Sequence, residues 1–297
     1  MMLSAGIGFS QHACKAWILS GADPERVVEG LKKSRNRQTF ERRMRLAGLI
    51  LAHVGDEEGA RRIFTELLEH NPAQPLWLKY AAGVPAHDVI VLDRYGIAYC
   101  PMPKNASSSI KARMNYLMRG TNDVYAHRFF TNVYETSQTT DLPDLADYFS
   151  FTVIRDPVER LLSYYQKNII EEDSLARELE NSRAREIMST HPSIDEFVGQ
   201  LESYIFYFDD AHHHTLPQSA YISTALPHLS RVYRISETDS IFSELSSRTQ
   251  TDLTPTYLLK SNVNVEKLLP ELSKTARDKL RAFYRVDYEL LGPWLDP

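Results

Sequence analysis

The chain has 297 residues, 43% hydrophobic and 25% charged, with a net charge of -5, which fits a globular protein of one large domain or a domain with an appendage. The acidic balance excludes a general nucleic-acid or anionic-membrane binder, so any anion site must be local. Two distant cysteines, Cys14 and Cys100, make neither a disulfide framework nor a C-x-x-C metal site. With no basic leader and no run of about 18 apolar residues, the reading is a cytoplasmic protein without a membrane span.

Residues 1–85 read as an all-α segment. The clearest unit runs from Arg45 to Val54, breaks at Gly55-Asp56, resumes from Glu57 to His70 and ends at Asn71-Pro72. Gly48, Leu51, Gly55, Ala60, Phe64 and Pro72 resemble the small, apolar and terminating positions of a tetratricopeptide repeat. A degenerate partner precedes it (Ala16 to Leu19, then Pro24 to Lys32), and Pro75 to Ala82 reads as a capping helix. A single repeat cannot bury its own face, so the segment is expected to pack on the domain C-terminal to it, as a helical cap or as a surface for a protein partner. The basic run Lys32, Lys33, Arg35, Arg37, Arg42, Arg43, Arg45 reads as a solvated helix face, with an acidic-glycan site as the other option.

From residue 86 the pattern changes. Asp88 to Asp93 is strand-like, Arg94-Tyr95-Gly96 is a turn, and Ile97 to Pro101 is a second strand. Together they suggest a hairpin that delivers the loop Pro101-Met102-Pro103-Lys104-Asn105-Ala106-Ser107-Ser108-Ser109 into a helix over 106–118. A lysine and hydroxyls at a helix start make a phosphate seat; the plainer alternative is a serine N-cap behind a turn proline. The loop is not a Walker A motif. Farther on, Tyr148 to Ile154 is a buried-strand pattern, Arg155-Asp156-Pro157 interrupts it, and Val158 to Tyr165 continues as a helix with proline at its first turn. Arg155 at the strand end and Ser163 two turns along can both touch a phosphate; the alternative is an Arg155–Asp156 ion pair beside an exposed serine.

The two stretches together resemble the sulfotransferases. Pro103-Lys104-x-x-Ser107-Ser108-Ser109 is similar to their 5′-phosphosulfate loop, and Ile154-Arg155-Asp156-Pro157-x-Glu159-Arg160-Leu161-x-Ser163-x-Tyr165 to their 3′-phosphate motif. The likeness is to the carbohydrate group, including uronyl and heparan 2-O-sulfotransferases, and covers residues 86–297. It implies an α/β fold, with a mainly parallel central sheet flanked by helices behind the all-α segment. It implies 3′-phosphoadenosine 5′-phosphosulfate (PAPS) as donor, PAP as product and no metal. Lys104 would hold the bridging oxygen and the 5′-phosphate, while Asn105, Ala106, Ser107, Ser108 and Ser109 would cradle the rest. Arg155 and Ser163 would bind the 3′-phosphate.

An acceptor hydroxyl needs a base, and His127 lies between the two motifs, where the 2-O-sulfotransferases place a histidine. The run His212-His213-His214 is a poor chelate, because adjacent residues do not share a face. His214-Thr215-Leu216-Pro217-Gln218 is similar to an H-x-x-P-Q segment of carbohydrate sulfotransferases, so His214 and Gln218 are candidate acceptor contacts, or members of an ordinary polar loop. Lys260 and Ser261 resemble the late loop that closes over the nucleotide. Residues 228–235 read as a further strand, with helices over 237–247 and 274–284 and a helical ending at 287–291. The expected acceptor is a carbohydrate or glycolipid, and a bacterial origin fits the lack of an anchor. The competing readings are a P-loop-like nucleotide-dependent phosphotransferase, and a degenerate transferase fold serving as an interaction module.

Overall fold

The structure, a computed structural model, describes residues 11–33, 37–72, 74, 76–83, 89–120, 145–179, 187–222, 225–253 and 265–295. These fall into two packed units that do not follow chain order. One comprises residues 1–84 with 168–215, the other residues 85–167 with 216–297. Among the described residues no helix is long and apolar enough to cross a membrane.

The first unit is helical. Asp23 caps the helix Pro24–Lys32 by accepting from the Glu25 and Arg26 amides, with Pro24 at its first turn. The helices Arg37–His53 and Glu57–His70 pack against each other, with Leu46, Ile50, Ala60, Phe64 and Leu67 in a shared core. Gly48 permits this approach: a Cβ there would overlap the Phe64 ring. Gly55, at φ +87°, makes the turn between the two helices. The later segment adds Phe206 to the same core, its ring stacked 4.3 Å from that of His53.

Polar groups are buried in this unit as well. The Lys15 side chain is 1% exposed, and its Nζ donates to the Tyr207 carbonyl and to Asp209 Oδ1, each at 3.1 Å. On the helix Asp209–Thr215, burial and then the Lys15 ammonium push His212 down to about 4. A histidine that stays neutral in the fold but protonates when unfolded favours the folded state above its ordinary value of 6.5. That advantage is lost as pH falls from 6.5 toward 4, for a total of about 3 kcal/mol at most. Burial pushes the nearby Glu178 up, which gives the opposite slope. The decisive measurement is therefore a difference: His212→Gln should flatten the fall in denaturation midpoint between pH 6.5 and 4 relative to wild type. Parallel curves would contradict the assignment.

Among the described residues the second unit is built on a four-stranded sheet, in the order β1 (Ile90–Leu92), β2 (Ile97–Cys100), β3 (Phe149–Ile154), β4 (Arg231–Arg234). The β1–β2 pair is antiparallel, closed by a turn with Gly96 left-handed at φ +59°. The β2–β3 and β3–β4 pairs are parallel, with Tyr99 opposite Phe151 and Val153 opposite Tyr233. Alternation along β3 sends Phe149, Phe151 and Val153 to one face. There they meet Ile110 and Met114 of the helix Ser107–Arg119, and Ile241, Phe242 and Leu245 of the helix Thr238–Thr249. The Tyr99 and Phe151 rings stack at 4.9 Å, and Tyr233 meets Phe151 edge-on at 5.9 Å. This is the mainly parallel α/β sheet that the sequence implied. Because β2 and β3 run parallel as neighbours, the turns after them leave the same edge of the sheet.

Candidate functional site

The turn after β2 is strained. Lys104 and Ala106 hold φ angles of +67° and +57°, a left-handed conformation that costs a side-chain-bearing residue about 1–2 kcal/mol. The helix Ser107–Arg119 begins at Ala106 as N-cap, without a side-chain cap hydrogen bond. The alternative of a serine cap therefore fails: the serines lie inside the first turn, with Ser107 and Ser109 buried. The positive end of this helix thus carries no side-chain N-cap. Lys104 stands at the same turn, its Nζ 5.8 Å from the centroid of the buried Tyr164 ring.

The turn after β3 is built the opposite way. Asp156 Oδ1 accepts from the amides of Val158 and Glu159, at 2.8 and 3.0 Å, and Pro157 occupies the first turn of the helix Pro157–Tyr164. Asp156 Oδ2 accepts from the Tyr288 hydroxyl at 3.1 Å. The aspartate of the Arg-Asp-Pro segment is thus a capping group, not the partner of Arg155. Arg155 instead turns its Nε to Glu159 Oε2 at 3.3 Å. Its terminal nitrogens have no partner among the described residues. Burial pushes this guanidinium down and Glu159 pushes it back up, and arginine stays charged throughout. Ser163 lies buried two turns along the same helix.

Three side chains lock the two turns together. Asn105 is wholly buried, and its Nδ2 donates to the Val153 carbonyl at 2.8 Å and to Gln218 Oε1 at 2.7 Å. Gln218, also wholly buried, accepts from the Arg155 amide at 3.2 Å through Oε1 and donates to the Arg155 carbonyl at 2.8 Å through Nε2. Asp287 completes the set: its carboxylate accepts from the Gln218 and Ser219 amides at 2.7 and 2.8 Å. Burial pushes the Asp287 carboxyl up, while those amides and the buried Arg160 pull it back. Arg160 donates to the Leu216 carbonyl and lies over the Tyr284 ring.

A pocket of about 300 Å³ opens at the carboxyl ends of β3 and β4. Arg155, Arg234, Arg277 and Arg281 line it, with Tyr288 and Trp294 among its walls. Its two acids are already engaged, Asp156 in capping and Glu159 with Arg155. Arg277 and Arg281 are exposed, and neither forms an ion pair among the described residues. A chain of net charge -5 therefore concentrates positive charge in one small concavity.

The fold brings together Lys104, Asn105, Arg155 and Gln218. His214 sits on the helix Asp209–Thr215, its Nε2 3.4 Å from Asp210 Oδ1. Gln218 has no exposed surface, so it presents nothing to a sugar. His127, Lys260 and Ser261 lie outside the described residues. Sequence reasoning missed Asp287, Arg234, Arg277 and Arg281. A signal for Asp287 was present: it shares a helical stripe with Tyr284 and Leu291, and an acid on an apolar stripe calls for partners.

Two adjacent turns leave one edge of the sheet, one with a helix start that lacks a side-chain cap and one with guanidinium nitrogens unpaired among the described residues, in an α/β fold. A family model described as the sulfotransferase family matches residues 87–292, and the chain belongs to that family of sulfate-transferring enzymes. No curated protein and no solved structure matches the chain.

Proposed function

We propose that this enzyme transfers a sulfuryl group from PAPS to a hydroxyl of a carbohydrate or glycolipid. The observation that supports this most directly is the unpaired edge of Arg155 in a pocket shared with three further arginines. The donor supplies a sulfuryl group already attached to a phosphate leaving group. Lys104 and the uncapped helix start would hold its 5′ end and balance the charge that develops there. Arg155, with Ser163 on the helix behind it, would grip the 3′-phosphate, and Arg281 and Arg277 would add charge at the rim. Tyr288 and Trp294 offer aromatic faces to the purine. His127 is the base proposed to take the acceptor proton. The carbohydrate assignment rests on the likeness of both loops to the carbohydrate group, and the N-terminal helices are a proposed partner surface.

Calorimetric titration with PAP tests the donor. Wild type should bind, and Arg155→Ala should weaken binding by about 10- to 100-fold, the worth of one or two charge-assisted hydrogen bonds. Wild-type protein that shows no PAP binding ends the proposal.

A further inference from the structure

We propose that Gln218 is a positioning residue that sets the spacing between the lysine turn and the arginine turn, so that a ligand with two phosphates engages both at once. This rests on the donor reading above. Gln218 reaches both turns with one side-chain amide: Oε1 receives Asn105 Nδ2, next to Lys104, and the same amide pairs with both the N–H and the C=O of Arg155. That pairing imitates a neighbouring strand just past the end of β3, where the ladder to β4 stops at Ile154 and Arg234. Asn105 adds a second tie, to the Val153 carbonyl inside β3. The bracket is itself held by Asp287 through the Gln218 backbone amide.

The Gln218 and Asn105 side chains are wholly buried, so the value of the arrangement is in distance. A ligand held at two points gains avidity only when the spacing of the sites matches its own. A misplacement of about 1 Å can cost about 100-fold. The backbone strain at Lys104 and Ala106 makes the same demand: a turn held left-handed at two non-glycine residues persists only when its surroundings over-determine it. The buried Asn105 between them, tied to β3 and Gln218, supplies that determination.

The experiment compares three ligands on wild type and on Gln218→Met, which keeps the side-chain bulk and removes its hydrogen bonds. PAP spans both turns, adenosine 5′-monophosphate tests the lysine turn alone, and adenosine 3′-monophosphate tests the arginine turn alone. The expected result is selective: PAP affinity falls about 10- to 100-fold, while each monophosphate changes by less than about twofold. Equal losses for all three ligands would mean general loosening and would overturn the proposal, as would unchanged PAP affinity. Should Gln218→Met not fold by near-ultraviolet circular dichroism, Gln218→Asn serves instead. It keeps donor and acceptor but shortens the bracket by one methylene, and the same selective loss is expected. Absence of PAP binding by wild type overturns the donor reading and this proposal together; wild-type binding with non-selective loss overturns this proposal alone.

Discussion

Lys104→Ala is expected to lower turnover by about 100- to 1,000-fold while leaving PAP affinity within about tenfold. Lys104 stands at the turn where the helix Ser107–Arg119 begins without a side-chain cap, the place proposed for the bond that breaks. Charge builds on the leaving oxygen only as transfer proceeds, so an ammonium there acts on the transition state more than on the bound ligand. Alanine is the informative replacement. At φ +67° it bears the same backbone strain as lysine, so the side chain and its ammonium are removed without relaxing the turn. Glycine would relax the turn and mix two effects. Turnover and PAP affinity measured on the same preparation decide the matter: unchanged turnover would remove Lys104 from the chemistry.

Asp287→Ala should cost about 3–5 kcal/mol of stability, read as a shift in urea midpoint. The carboxylate is wholly buried, accepts from two backbone amides and faces the wholly buried Arg160. Removing it strands two buried backbone N–H groups and takes a negative charge from the surroundings of the buried Arg160. Asp287→Asn should lose less, because one amide keeps its acceptor. The loss should also reach the site, since the Gln218 amide is one of the groups set free. A change below about 1 kcal/mol would show that this carboxylate does not hold the segment.

Much of the fold was legible from residue order alone. The hairpin into the lysine turn comes from two apolar runs around Tyr95-Gly96, and the Arg-Asp-Pro break comes from proline's place at a helix start. The strands lie where the apolar runs end in punctuation, and β4 emerges within the predicted 228–235. What could not be read is what depends on distant partners. Whether Asp156 would pair with Arg155 or cap a helix depends on where Glu159 and Tyr288 lie, 3 and 132 residues from it. Gln218 reads as an acceptor contact or a polar loop residue, and its buried ties to Asn105 and Arg155 appear only in the fold. Arg277 and Arg281 look like ordinary exposed charges on a terminal helix, and only the folded sheet edge gathers them with Arg155 and Arg234. Long-range convergence of this kind leaves no local periodicity to detect.

The inclusion of Phe206 in the core of the N-terminal helices has a consequence for birth on the ribosome. His53, its stacking partner, emerges some 150 residues earlier, which at cellular elongation rates of about 5–20 residues per second is a wait of about 8–30 seconds. Through that interval the core that includes Leu46, Ile50 and Phe64 lacks one of its members, Phe206. The nascent chain thus displays an oily surface that its own later segment is destined to cover, and chaperones that shield such surfaces during translation have a defined window in which to act.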